Sequence, residues 1–261
     1  MMFFQSTING SSHSPLKANN TKRLRWRSLL LVCVPLCCGS AANVLVTSQG
    51  VSRSIISYDS ITGAPTGAFV PSGSGGLLSP TGLTFGPDGN LYVGDGVGNS
   101  VLRYNGATGT FLGAFVTSGS GGLSSPTGVV FGTDGNLYVA GGAGPSADVQ
   151  RYNGATGAFL GVFALPGFMV NPQQMAFGPN GDLFVADEVN VVEFRGTTGV
   201  FVADFVVGGT HGLSGPDGLV FGPGGKLYVA GAGSHNVNQY DANTGAFLST
   251  FISSGLADQT G

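Results

Sequence analysis

The chain has 261 residues, of which 47 are glycine, 42% are hydrophobic and only 9% are charged. This hydrophobic content argues against a disordered chain, since disordered segments are poor in apolar residues. All thirteen acidic residues lie from Asp59 onward, and residues 43–261 contain only five basic residues, so they carry a net charge of −8. An acidic body with scattered cations offers no phosphate-binding surface and argues against nucleic acid as a partner.

The first 42 residues predict a signal peptide and its leader. A basic stretch ends at Arg27, the apolar run 28–38 follows, and the small residues 39–42 come next. This order is typical of a cleavable signal, with cleavage after Ala41 or Ala42. The run is shorter than the ~20 residues of a membrane-spanning helix, so we expect no stable span in the mature chain. A secreted, periplasmic or cell-surface protein is therefore predicted.

The three cysteines, Cys33, Cys37 and Cys38, all lie inside that apolar run. Cleavage would leave a mature chain without cysteine. A disulfide, a thiolate zinc site and a cysteine nucleophile are then excluded, and packing alone must hold the exported fold.

The rest of the chain repeats itself. Pro80, Pro126, Pro172 and Pro216 each open a segment that continues Phe-Gly-x-x-Gly-x-Leu-Tyr/Phe-Val, at spacings of 46, 46 and 44 residues. A second element, Tyr/Phe-x-x-x-Thr-Gly, follows in each unit, and an earlier copy at residues 58–63 indicates a fifth unit upstream. The units run approximately over residues 43–79, 80–125, 126–171, 172–215 and 216–261.

Each unit reads as four short strands separated by turn residues. Asp88-Gly89 and its counterpart Asp134-Gly135 supply the left-handed conformations of a tight hairpin, and the Thr-Gly element predicts a second hairpin. A four-stranded antiparallel meander of about 45 residues is the size of a propeller blade. One meander cannot bury both of its faces, so stacking about an axis is expected. The sequence therefore predicts an all-β propeller of about five units.

The first unit lacks an innermost strand in this interpretation, which leaves 19 strands. Either a five-bladed ring with one three-stranded blade or an incomplete six-bladed ring would fit that number. Pro35 lies 45 residues before Pro80, so the signal run occupies the place of the missing strand. Its basic leader favours export over a strand. A fragment of a longer surface protein is a third reading.

The repeat Pro-x-Gly-Leu-x-Phe-Gly-x-Asp-Gly-Asn-Leu-Tyr-Val, followed by Gly-Asp95 or Ala-Asp187, resembles the NHL repeat and the related SMP-30/gluconolactonase-like propellers. The resemblance covers residues 43–261 and implies a propeller, usually of six blades. It implies little about function, because such repeats serve enzymes and binding modules alike. Members of the SMP-30 type hold a divalent metal in the channel with a Glu ligand. In this chain Thr81, Thr127 and Gln173 stand at the corresponding positions with Asp217, and no Glu does.

The polar residues that could perform chemistry are expected on one rim, where the second-to-third loops and the blade-to-blade loops gather. The candidate binding residues are Asp95, Asp187, Glu188, His211, Asp217 and His235. Asp148 lies beside the same loops. For Asp95 and Asp187, capping of a turn is the competing and favoured interpretation.

Asp187 and Glu188 form the one adjacent acid pair of the sequence, and with Asp217 or His211 they are candidate ligands of a divalent cation. Oxygen-rich ligation suits calcium better than zinc. The favoured hypothesis is a non-enzymatic exported scaffold that binds a protein or a glycan. The alternative is a metal-dependent hydrolase or lyase of the SMP-30/gluconolactonase or streptogramin-lyase-like type.

Overall fold

A computed structural model describes residues 32–34, 43–50 and 52–253 of the chain. Twenty strands in these ranges form five four-stranded antiparallel sheets, which are arranged as the blades of a five-bladed β-propeller. Each sheet is a simple meander in which sequential strands pair. The predicted all-β propeller of four-stranded blades is therefore confirmed. In the described ranges no helix has the length and apolar character needed to cross a membrane.

The strands follow the blades in chain order. Blade 1 contains β1 (Val32–Val34), β2 (Asn43–Ser48), β3 (Ser54–Asp59) and β4 (Pro65–Val70). Blade 2 contains β5 (Pro80–Phe85), β6 (Leu91–Asp95), β7 (Ser100–Tyr104) and β8 (Phe111–Val116). Blade 3 contains β9 (Val129–Phe131), β10 (Leu137–Gly141), β11 (Asp148–Tyr152) and β12 (Phe159–Ala164). Blade 4 contains β13 (Pro172–Phe177), β14 (Leu183–Asp187), β15 (Asn190–Phe194) and β16 (Phe201–Val207). Blade 5 contains β17 (Pro216–Gly222), β18 (Lys226–Gly231), β19 (Asn236–Asp241) and β20 (Phe247–Ile252).

Three single turns of 3₁₀ helix complete the secondary structure of the described residues. They span Ser74–Gly76, Ser120–Gly122 and Gly144–Ser146. The first two lie in the loops that lead from one blade to the next, and the third lies between β10 and β11.

Local turn chemistry forms both hairpins of a blade, as predicted. In the first, the Asp88 carboxylate accepts the N–H of Asn90 at 3.1 Å, and Gly89 takes a φ of 75°. In the second, Asn105 Oδ1 accepts the N–H of Thr108 at 3.0 Å, and Gly109 takes a φ of 70°. Glycine adopts this left-handed conformation without the steric cost of a Cβ, which is why it recurs there.

The core between blades is built from three-ring clusters. Tyr92 in β6 lies between Phe115 of its own outermost strand and Phe131 of the next blade, edge to face at centroid distances of 4.8 and 4.9 Å. The same arrangement recurs around Tyr138 and Phe184. An aromatic pair in this geometry contributes about 0.5–1.5 kcal/mol beyond its buried area. The repeated aromatic residues therefore join blades 2, 3 and 4 each to the blade that follows.

The innermost strand of blade 1 corrects the sequence-based count of 19 strands. Val32–Val34 pairs antiparallel with β2, with Cys33 opposite Val44 and Val34 opposite Asn43. Cys33 therefore corresponds to Phe85 of blade 2, which lies opposite Leu91 in the second strand. The strand ends before Pro35, so the alignment of Pro35 with Pro80 was wrong. An apolar run of this length fits a buried strand as well as a signal, and periodicity cannot separate the two.

Four junctions between consecutive blades share one close contact. A Cβ on Gly109 would lie 1.9 Å from the carbonyl oxygen of Phe69 in the preceding blade, and Gly157, Gly199 and Gly245 make the equivalent approach. The matching glycine of blade 1, Gly63, has no neighbouring atom within 4 Å. The junction between the last blade and the first is therefore built differently from the other four.

Candidate functional site

The loop side of the propeller carries the residues predicted to form a site. Here the second-to-third loop of a blade meets the loop that enters the same blade, as in the bond from Gly96 N–H to the carbonyl of Ser79 at 2.9 Å. The blade-to-blade loop that follows bonds back to it, from Gly119 N–H to the carbonyl of Asn99. This rim is thus a continuous layer of interlocked loops.

Asp95 and Asp187 hold these loops in place. The buried Asp95 carboxylate accepts the backbone N–H groups of Leu78 at 3.0 Å and Ser79 at 2.7 Å. Asp187, also buried, accepts those of Val170 at 3.0 Å and Asn171 at 2.5 Å. Burial raises the pKa of Asp187 above its usual range, against the effect of these bonds. Both carboxylates therefore act on the backbone of the loop entering their own blade.

Glu188 lies next to Asp187 but points into a different environment. Its side chain is exposed, and its Oε2 accepts the amide of Asn171 at 3.2 Å. Consecutive strand residues face opposite sides of a sheet, and Glu188 directly follows the end of β14. Both acids thus bond to Asn171, but Asp187 is buried on its backbone N–H whereas Glu188 is exposed on its side-chain amide.

The innermost strands carry a polar position directly after the opening proline. The Thr81 hydroxyl lies 2.8 Å from the carbonyl oxygen of Pro126, and that of Thr127 lies 2.7 Å from the carbonyl of Pro172. Each hydroxyl thus reaches the next blade around the axis. Asp217 occupies the equivalent position in blade 5 and is partly exposed. The position is thus polar in each of blades 2–5.

The two predicted histidines lie away from that position. His211, at a φ of 50°, stacks on Phe247 with a centroid distance of 4.2 Å and an interplanar angle of 9°. Phe247 opens the outermost strand of blade 5, three strand spacings, or about 14 Å, from the strand of Asp217. His235 is exposed in the second-to-third turn of the same blade.

The candidate metal ligands are not brought together as one set. No three His, Cys, Asp or Glu side chains lie close enough to hold an ion within residues 32–34, 43–50 and 52–253. Asp187 binds backbone, Glu188 is exposed beside it, and Asp217 lies in another blade. A calcium or other divalent cation bound by Asp187, Glu188 and Asp217 thus finds no support in this geometry.

A buried polar ladder in the third strands was missed by the sequence analysis. In blade 5, Asn238 donates to the carbonyl oxygen of His211 at 3.1 Å and Asn236 to that of Gly212 at 3.1 Å. In blade 3, Gln150 donates to Gly121 in the corresponding loop at 3.2 Å, and burial raises the pKa of Asp148. The sequence does contain a signal for this ladder: Asn236 and Asn238 alternate along β19, whereas β7 has the apolar Leu102 at the position of Asn238.

The outermost strands present a row of exposed apolar side chains, here called the outer band. Its members occupy the same position in four consecutive blades and are 38–48% exposed: Leu112, Leu160, Val202 and Leu248. Phe111 and Phe159, the residues before two of them, are themselves 36% and 39% exposed. The outer band is therefore a property of the repeat and not of one blade.

Comparisons with known proteins support the fold. No protein-family profile matches the chain, and no curated protein matches it. Among solved structures, a nidogen/laminin complex is similar at 17% identity over 91% of this chain and 88% of that chain, with a TM-score of 0.66. Virginiamycin B lyase from Staphylococcus aureus is similar at 16% identity over 82% of this chain and 67% of its own, with a TM-score of 0.58. A protein given the name gluconolactonase is similar at 20% identity over 80% and 71%, with a TM-score of 0.59.

Proposed function

We propose that this chain is an exported binding scaffold that holds a protein partner on its outer band. The observation that carries the proposal is the exposure of Leu112, Leu160, Val202 and Leu248 at one repeated position. Phe111 and Phe159 extend the exposed apolar surface beside Leu112 and Leu160, and exposed apolar surface is characteristic of protein–protein contact. The resemblance of the repeat to NHL and SMP-30-like propellers is part of the same proposal.

The edges of the blades support this reading. The outermost strand of a blade has one side of its backbone unpaired within the sheet, and proteins usually protect such edges with charged residues or proline. Strands β8, β12 and β20 contain neither, and β16 contains one acid, Asp204. An unprotected apolar edge accommodates another polypeptide better than a glycan, whose hydroxyl groups require polar partners.

The comparisons are compatible with a binding role. The similar structure with a TM-score of 0.66 is titled as a complex of nidogen and laminin. At 17% identity it supports the propeller architecture, and the extension to protein binding by this chain belongs to the proposal.

Photo-crosslinking from the outer band tests the proposal. A photoreactive benzoyl-phenylalanine replaces Leu160, at the centre of the band, in the full chain made in the cells that produce it. We expect a covalent adduct with one protein that disappears when L112K and V202K flank the probe, because a lysine on either side disrupts an apolar contact. The readout is the adduct mass and its identity by mass spectrometry.

Val97 provides the matched control. It is 65% exposed in a second-to-third loop, so V97K places on the rim one lysine of the kind that each band substitution introduces. The adduct should survive V97K. Loss of the adduct with V97K and its survival in L112K/V202K would place the partner on the rim and refute the outer band.

The alternative function is a metal-dependent hydrolase or lyase. The rim is where such a site would lie, but Asp95 and Asp187 accept backbone N–H groups there. A thermal-shift screen of the mature chain against calcium and zinc addresses it, since a ligand that prefers the folded state raises the melting temperature. A rise that D217N abolishes would favour the enzyme over the scaffold.

A further inference from the structure

One position of the third strand differs in blade 1 from every other blade. Arg103, Arg151, Glu193 and Gln239 occupy it in blades 2–5, and Ser57 occupies it in blade 1. The position lies opposite the second-strand residue that packs toward the next blade, such as Tyr92 opposite Arg103. Blades 2–5 thus have a long polar side chain at a position where blade 1 has a short one.

The structure contains a groove at this position, between blades 1 and 2. Its volume is about 270 Å³, and it is lined by Asn43, Leu45, Ser57, residues 66–69 and the turn residues Gly106 and Ala107. The equivalent groove between blades 2 and 3 measures about 150 Å³. It is lined by Arg103, by residues 112–115, which are the counterparts of residues 66–69, and by Ala155 and Thr156. The larger groove is therefore an enlarged copy of one that recurs in the fold.

Ser57 lines the groove and carries an unsatisfied polar group. The residue is 6% exposed, and its buried Oγ has no hydrogen-bond partner among the residues that the structure describes. A buried hydroxyl without a partner is unfavourable, so a ligand donor that reaches it and bonds to it is favoured. Asn43, which lines the same groove, supplies a second polar side chain.

We propose that the groove beside Ser57 binds an alkyl guanidinium group, such as the side chain of an arginine. Blade 2 already holds such a group at the equivalent position: the guanidinium carbon of Arg103 lies 5.7 Å from the ring centroid of Phe115, although its Nε is buried without a partner among the described residues. Phe69 is the counterpart of Phe115 and lines the groove of blade 1. A planar cation stacks on an aromatic face and donates in several directions at once.

The charge around the groove favours a cation. Asp59 pairs with Asn43 across β2 and β3, and so lies on the same face of the sheet as Leu45 and Ser57. Hydrogen bonds from Thr62 lower the pKa of Asp59, which keeps its carboxylate ionised. Within blade 1 the groove-lining residues include no basic side chain. The groove therefore holds no cation that would repel a guanidinium, and Asp59 places a carboxylate on the same face of blade 1.

Saturation-transfer NMR on the full chain tests this site with n-propylguanidinium as the probe. The neutral isostere n-propylurea is the matched comparison, and N-acetyl-arginine methylamide represents an arginine of a partner protein. We expect signal from the guanidinium and at least tenfold less from the urea. Signal from the blocked arginine indicates a protein source, and its absence with retained propylguanidinium signal indicates a small free ligand; either supports the guanidinium site.

Filling the groove from within should remove binding. Ser57→Arg introduces the side chain that Arg103 has at this position in blade 2. Ser57→Gln introduces that of Gln239 in blade 5, and it replaces the arginine variant if that variant does not fold. The reverse change, Arg103→Ser, should open a second groove and raise the bound probe about twofold. Equal signal from the urea, or probe signal that persists in a folded Ser57→Arg or Ser57→Gln chain, would overturn the proposal. L112K/V202K should leave the signal unchanged, which separates this site from the outer band.

Discussion

The neighbouring residues Asp187 and Glu188 show how far a single carboxylate can differ in role. Asp187 is buried on the N–H groups of Val170 and Asn171, whereas Glu188 is exposed. D187A would leave buried donors without an acceptor, so we expect the free energy of unfolding to fall by about 1–3 kcal/mol. E188A should change it by less than about 0.5 kcal/mol. Urea unfolding at neutral pH measures both.

Equal effects of the two substitutions would contradict the loop-holding role of Asp187.

The contacts of single residues also show which of them the sequence could predict. The turn contacts of Asp88 and Asn105 were predictable because their partners lie two or three residues away. The partners of Asp187 lie 16 and 17 residues away, in a loop that only the folded blade brings near. Turn capping could be anticipated for it, but the backbone groups it binds could not.

Among the elements, the apolar segment around Val32–Val34 carries two incompatible interpretations. As a strand it pairs with β2, and as part of a signal peptide it is removed by cleavage after Ala41 or Ala42. Without it, β2 still pairs with β3, and Leu45 and Ile55 still belong to the core shared with blade 2. We therefore expect the exported chain to begin at Ala42 or Asn43 and to remain folded.

The intact mass of the chain recovered outside the cytoplasm checks this expectation. If the recovered chain instead keeps residues 32–34 and protects them from protease, this segment is a permanent strand. The prediction of a cleaved signal peptide would then be wrong. The other strands were predictable because each lies between Gly-containing turns at a fixed offset in the repeat. The first strand was not, since residues 28–38 show neither the repeat nor its turns.

At the scale of the whole molecule, the aromatic clusters make the ring a chain of similar junctions. Blades 2, 3 and 4 contribute to a core cluster on each of their faces. Tyr104 is fully buried by this packing, whereas its counterpart Tyr58 in blade 1 is only half-buried. The repeat length and strand number predicted the ring, but the difference between its junctions depends on contacts between distant ends of the chain.

Two glycines with the same backbone conformation isolate the strength of one junction. Gly63 and Gly109 have φ values of 69° and 70°, so an alanine at either position bears similar strain, about 1–2 kcal/mol. Only at Gly109 would the new Cβ also collide with the Phe69 carbonyl of the preceding blade, at 1.9 Å. We expect G109A to lower the free energy of unfolding by at least about 1 kcal/mol more than G63A, because the blades must separate to admit the methyl group. Urea denaturation of both variants measures the difference. An equal fall in the free energy of unfolding for G63A and G109A would mean that blade 1 meets blade 5 as closely as the other blades meet one another. The conclusion that this junction is built differently would then be wrong.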